Sequence, residues 1–161
     1  MIVVCNTSPL TNLASIGKFD ILFSLFGSIH IPEGVWDELN ASNQRWPGSL
    51  ETENADWIQR HTVQNQSLVT ALRKDLDQGE SESIVLAMEL GADLLLLDEK
   101  EGRHTAQRFN MPILGVVGIL LAAKSHQEID KIRPLLDALR QRAGFYLSAS
   151  LYQAVLNQAE E

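Results

Sequence analysis

Leu94-Leu95-Leu96-Leu97-Asp98 is four leucines in a row stopped by an aspartate. A short unbroken apolar run has no solvent-facing position, so it reads as an interior strand buried on both faces, and it is too short for a core helix. Working outward, Ile2–Cys5 and Ile113–Leu114 have the same character, and Ile29-His30-Ile31 alternates before stopping at Pro32. Trp57–Val63 reads as a weaker fifth strand at an edge. The intervening segments carry helical spacing. Ser8-Pro9 offers an N-cap and a first-turn proline for a helix through Ile16 that ends near Gly17. Phe19, Leu22, Phe23 and Phe26 share a second helix, and Pro32 opens a third containing Val35, Trp36 and Leu39. Further helices are predicted over Leu68–Leu76, Gly79–Leu90, Glu99–Phe109, Val117–Ser125, Ile129–Arg142 and Ser148–Gln158. Asn40–Asn54, with Pro47 and Gly48, reads as a loop or short helical insertion. Strands alternating with helices predict a parallel sheet covered on both faces, a three-layer α/β/α domain over residues 1–161. The helices from about residue 129 onward form an extension past the last strand.

Apolar residues make up 45% of the 161, enough for a packed core and too many for a disordered chain. No apolar run approaches the roughly 18 residues that cross a bilayer, so no membrane association is expected. Nothing basic precedes Ile2, which argues against an export signal, and the single Cys5 excludes an internal disulfide and reads as a core thiol. A cytoplasmic location is the expectation. The formal charge of −8, from 21 acids against 13 Lys plus Arg, excludes a protein that coats nucleic acid through a basic surface. A phosphodiester handled here would need positive charge from another source, which a divalent cation supplies.

In open parallel sheets functional residues gather beyond the carboxyl ends of the strands. Asn6-Thr7-Ser8 follows the first strand, Asp98-Glu99-Lys100-Glu101 follows the leucine run, and Asp37 and Glu38 lie on the helix after Ile29–Ile31. Asp98 reads either as the N-cap of the next helix or as a site residue. Glu80 shares a helical face with Ile84, Ala87 and Met88, which turns it toward the sheet, whereas Glu82 points elsewhere and reads as solvated; a shift in the helix boundary would exchange the two roles. Scattered carboxylate oxygens are what Mg²⁺ or Mn²⁺ takes. Arg103, with Lys100, His104 and Arg108 on the same helix, reads as solvated or as a contact to substrate phosphate, and Thr7 and Ser8 are weaker candidates for the same contact. Leu135, Leu136, Leu139, Leu147, Leu151 and Val155 form apolar stripes, mostly core, some able to make a homodimer or partner surface.

Other chemistries lack their residues. There is no G-x-x-x-x-G-K-[ST] loop and no G-x-G-x-x-G after a strand. His30, His61, His104 and His126 show no ligand spacing, and Ser8 has no nucleophile elbow. A phosphoacceptor signalling domain would want a lysine where Gly115 and Val116 stand.

Val3-Val4-Cys5-Asn6-Thr7-Ser8-Pro9-Leu10, Ile31-Pro32-Glu33-Gly34-Val35-Trp36-Asp37-Glu38-Leu39 and Gly79-Glu80-Ser81-Glu82-Ser83-Ile84 stand in order with Ala92-Asp93, Leu97-Asp98 and Gly102-Arg103. Ile113-Leu114-Gly115, Arg133-Pro134-Leu135-Leu136 and Gly144-Phe145 complete the set, so the pattern runs over nearly the whole chain. It resembles the PIN-domain family of metal-dependent ribonucleases, which includes many prokaryotic toxins of toxin–antitoxin pairs. The resemblance implies a five-stranded parallel sheet in the order 3-2-1-4-5 and a cluster of acids holding Mg²⁺ or Mn²⁺. Carried over, these are Glu38, Glu80, Asp98 and, additionally, Glu101 with Glu99 as its alternative, with RNA as substrate and a small antitoxin protein as partner. The family usually has aspartate at the end of the first strand, where this chain has Asn6. An amide oxygen can ligate Mg²⁺ but brings no charge, and Asn6 with Thr7 could still orient a metal-bound water. Two functions therefore stand: a metal-dependent RNA endonuclease, or a catalytically silent PIN-like module that binds protein or RNA.

Overall fold

Val3–Cys5 (β1) has no exposed atom on either face, which is what an interior strand of alternating partners requires. In the computed structural model, which describes residues 1–41 and 45–161, it is the central strand of a parallel sheet. The chain runs β1, α1 (Thr7–Ser15), α2 (Ile21–Phe26), β2 (Ile29–Pro32), α3 (Glu33–Leu39), α4 (Ser49–Asn54), β3 (Ile58–His61) and α5 (Gln66–Leu72). It continues through α6 (Gln78–Leu90), β4 (Leu94–Leu96), α7 (Lys100–Arg108), β5 (Ile113–Leu114), α8 (Val116–Ser125), α9 (Arg133–Arg142) and α10 (Ala149–Gln158). The strands are all parallel, as their alternation with helices predicted, and stand in the order β3-β2-β1-β4-β5 that the family resemblance implied.

Alternation along the strands divides the core in two. Val3, Cys5, Ile29, Ile31 and Leu96 face one layer, built on α1, α2 and α8 with α9 and α10 outside. Val4, Leu95 and Leu97 face the other, built on α5, α6 and α7. The register pairs Val4 with Leu95 and Cys5 with Leu96, so β1 and β4 end side by side and Asn6 and Asp98 both follow them at the carboxyl end of the sheet. Cys5 is a fully buried thiol.

Several boundaries differ from the sequence expectation, each for a local reason. The first helix begins at Thr7 with Asn6 at the N-cap position, two residues earlier than a Ser8 cap allows, which frees the Ser8 hydroxyl. The helix expected from Ile129 starts at Arg133, where the Glu161 carboxylate accepts the Ile132 and Arg133 backbone N–H groups at 2.6 and 3.2 Å. The insertion contains α4; residues 42–44, within the segment expected as loop or short helix, lie outside those described. Met88, placed by periodicity on the inward face of α6, is 41% exposed. Among the described residues no helix is long and apolar enough to cross a membrane.

Candidate active site

The site is built from four chain segments that meet beyond the carboxyl ends of β1 and β4. Asn6 leaves β1 with its N–H donated to the Leu96 carbonyl at 3.0 Å, which locks it between the two strands. Its side chain is 2% exposed. The amide Nδ2 donates to Glu99 Oε2 at 3.1 Å, and the Ser83 hydroxyl donates to its Oδ1 at 3.4 Å. That orientation follows from chemistry, since an ionised carboxylate only accepts.

Thr7 and Ser8 open α1 and point the same way. Thr7 Oγ1 donates to Glu38 Oε2 at 2.5 Å, and Ser8 Oγ donates to Glu99 Oε1. Each hydroxyl has one proton to give, so the structure commits these donors to carboxylates and not to a substrate phosphate. The Asn6-Thr7-Ser8 turn thereby fixes Glu38 from α3 and Glu99 from the start of α7.

Glu38 is held on its other oxygen by the Gly79 N–H at 3.0 Å, one of the free donors at the start of α6. Asp77 caps the same helix, accepting from Glu80 N at 2.8 Å. Burial pushes the Glu38 carboxyl above its ordinary range, against the Thr7 and Gly79 hydrogen bonds, with Asp77 and Glu99 adding to the rise. Glu80, 8% exposed, is pushed up to about 8, first by burial and then by Asp77, Glu99 and Glu38. Its Oε2 lies 3.4 Å from where a Cβ on Gly102 would stand, so it reaches across toward α7.

Asp98 faces the other side of the β4 terminus. Its Oδ1 accepts the Val116 N–H at 2.9 Å, so it caps α8, not the α7 helix that follows it in sequence. Its Oδ2 is buried and without a hydrogen-bond partner among the described residues. Burial raises this carboxyl to about 6, with the Val116 N–H opposing, Glu99 adding and Arg103 subtracting. Gly115 permits the arrangement: a Cβ there would stand 2.6 Å from Asp98 Oδ1 and 2.8 Å from an Arg103 guanidinium nitrogen.

The expected residues therefore divide. Asn6 is hydrogen-bonded to Glu99, and Glu38, Glu80 and Asp98 all lie within reach of the Glu99 charge. Glu101 does not join them; it is exposed on α7, lining a separate hollow with Asp75, Lys100 and His104. Glu82, expected in solvent, is 6% exposed. It accepts from Gly34 N at 3.4 Å and from the Gln78 amide, so it joins α6 to α3 instead of facing the acids. His30 and His61, without ligand spacing in sequence, meet across β2 and β3 at 2.9 Å.

The profile of a family described as DUF3368: PIN domain matches residues 2–161. The chain belongs to the PIN-domain family. No curated protein matches it. A PIN domain is a nuclease-type fold, and the carboxylates of this one lie where the fold directs function, beyond the strand ends.

Whether this PIN domain can hold a divalent cation is decided by its donors. Among the described residues no three His, Cys, Asp or Glu side chains converge into a cage. Mg²⁺ needs none: it keeps several waters and is held by one or two carboxylates together with substrate phosphate. All the available donors are hard oxygens, and the buried, unpartnered Asp98 Oδ2 is an acceptor that lacks a cation or donor. The residues fit such an ion.

Proposed function

We propose that this PIN domain is a divalent-metal-dependent RNA endonuclease, with Asp98, Glu80, Glu38 and Glu99 as its acids and Asn6 in place of the usual aspartate. The observation that carries this reading is the gathering of acids beyond the carboxyl ends of β1 and β4, where burial first and the shared neighbour Glu99 after it raise Glu38, Glu80 and Asp98. Buried, repelling carboxylates cost stability unless a proton or a cation joins them, and near neutral pH a cation serves the ionised ones. Mg²⁺ or Mn²⁺ held by Asp98 and Glu80 would offset phosphate charge and lower the pKa of a bound water.

The chain's own residues do the positioning. Asn6 and Ser8 fix both oxygens of Glu99, and Thr7 and Gly79 fix both oxygens of Glu38, so neither acid has a rotamer to choose when substrate arrives. The Arg103 guanidinium, beside Asp98, contacts a phosphate oxygen. Water attacks phosphorus, the bond to O3′ breaks, and the products carry a 5′-phosphate and a 3′-hydroxyl. A small antitoxin-type protein restraining this activity belongs to the same proposal.

A second reading, a silent PIN module that binds RNA or protein, is favoured by one observation: the Asn6 amide neutralises the position by donating to Glu99. Cleavage of RNA with Mn²⁺ or Mg²⁺, beside an EDTA control and Asp98→Asn, separates the two. Activity lost with chelation and with Asp98→Asn establishes the nuclease. Folded protein that cleaves no better than the variant establishes the silent module.

A further inference from the structure

The groove beside Asp98 continues past the acids into a surface of different chemistry. It encloses about 360 Å³ and is lined by Asp98 and Arg103 together with Phe145, Tyr146 and Leu151. Tyr146 is 85% exposed. The segment that carries it is nevertheless well held. Gly144 makes the turn after α9 at φ +63°, the Phe145 N–H donates to the Leu139 carbonyl at 3.0 Å, and Leu147 is buried. Arg140 donates to the Leu147 carbonyl at 2.6 Å, and the Ser148 hydroxyl caps α10 by accepting from Leu151 N at 3.1 Å. Tyr146 is thus an aromatic ring presented to solvent from a backbone fixed on both sides, which core packing does not require.

We propose that this groove is a nucleobase subsite for single-stranded RNA, in which a base stacks on Tyr146 while its phosphate meets Arg103. The inference rests on reading the acid cluster as a phosphodiester site. Single-strand binders combine aromatic faces with a cation that tracks the backbone, and the groove is lined by two aromatics, Phe145 and Tyr146, and by Arg103 beside Asp98. Among the described residues Arg103 makes no ion pair; the three that occur are Arg45–Glu53, Arg60–Glu33 and Lys124–Glu161. A planar base suits the groove better than a protein partner, whose interface would need several hundred Å² of continuous surface per side.

The test is fluorescence anisotropy of a short labelled oligouridine RNA with the full chain in EDTA, for wild type, Tyr146→Ala and Tyr146→Phe. Melting temperatures of the three confirm that the exposed substitutions leave the fold intact. Loss of one stacking contact weakens binding by about tenfold in Tyr146→Ala, and Tyr146→Phe, which keeps the ring, stays near wild type. A fluorescent purine analogue in the RNA is quenched by wild type and not by Tyr146→Ala. Equal affinity for all three proteins overturns the subsite and leaves the aromatic face to a protein partner. If Tyr146→Ala binds weakly while Asp98→Asn cleaves like wild type, the subsite stands and the nuclease reading falls. If RNA is cleaved by wild type but Tyr146→Ala binds unchanged, the reverse holds.

Discussion

At the scale of single residues, Asn6 decides how the acids coexist without a cation. Its amide is wedged between Glu99 and Ser83 at a position 2% exposed, and it is the one group there that donates from a carbon framework the size of aspartate. Replacing it with aspartate turns a donor facing Glu99 into a second carboxylate. In Asn6→Asp, chelated protein at neutral pH is expected to lose about 1–3 kcal/mol of stability in urea denaturation. Mg²⁺ should then recover that loss, and titration calorimetry should show tighter binding than wild type because a charged ligand has been added. An unchanged urea midpoint in EDTA would mean that the Asn6–Glu99 contact does no work in solution. Asn6, Asp98 and Glu80 were legible in sequence because each ends or heads a buried apolar pattern. Glu99 was not, because Glu99 and Glu101 straddle the first turn of α7 and only the residue at which the helix begins tells which one turns inward.

Among the elements, the approach of α3 to α6 sets where Glu38 and Glu80 stand. Two glycines permit it. A Cβ on Gly34 would lie 2.6 Å from Glu82 Oε2, and one on Gly79 would lie 2.5 Å from Glu38 Oε1. Strand and helix positions followed from periodicity, because apolar runs of period two and stripes of period 3.6 are properties of the chain itself. The depth to which α6 sinks against α3 is not such a property. It depends on residues 34 and 79 being bare on facing surfaces, and this is why Glu82 was misread as solvated while nine residues of α6, Gly79–Ala87, are buried. Gly79→Ala is expected to cost about 1–3 kcal/mol from overpacking. It should also weaken Mg²⁺ binding, since Glu38 must leave the Gly79 N–H. Calorimetry on the folded variant checks this: full Mg²⁺ affinity together with reduced stability would detach Glu38 from the metal shell while leaving the packing account intact.

For the molecule as a whole, a net charge of −8 and a buried acid cluster make stability depend on protons and cations in opposite ways. Asp98 rises from an ordinary 3.8 to about 6 on folding, and Glu80 from 4.5 to about 8. Both folded-state values exceed the unfolded ones, so the chelated native protein binds more protons than the unfolded chain and its stability falls as pH rises. The contribution is whole below about pH 4 and is lost progressively as pH climbs through about 6 and then about 8. Melting of the protein in EDTA should therefore give a lower Tm at pH 8.5 than at pH 6, each kcal/mol moving Tm by about 2–4 °C in a chain of this size. A divalent ion binds the ionised carboxylates and not the protonated ones, so its stabilisation grows over the same window. Mg²⁺ should raise Tm more at pH 8.5 than at pH 6, narrowing or reversing the trend seen in EDTA. Asp98→Asn removes one of the raised acids, the one placed at about 6, so it should flatten the EDTA profile near pH 6 and reduce the Mg²⁺ gain together. A variant that flattens the profile yet keeps the full Mg²⁺ gain would show that Asp98 is a buried acid caught by α8 and not a ligand.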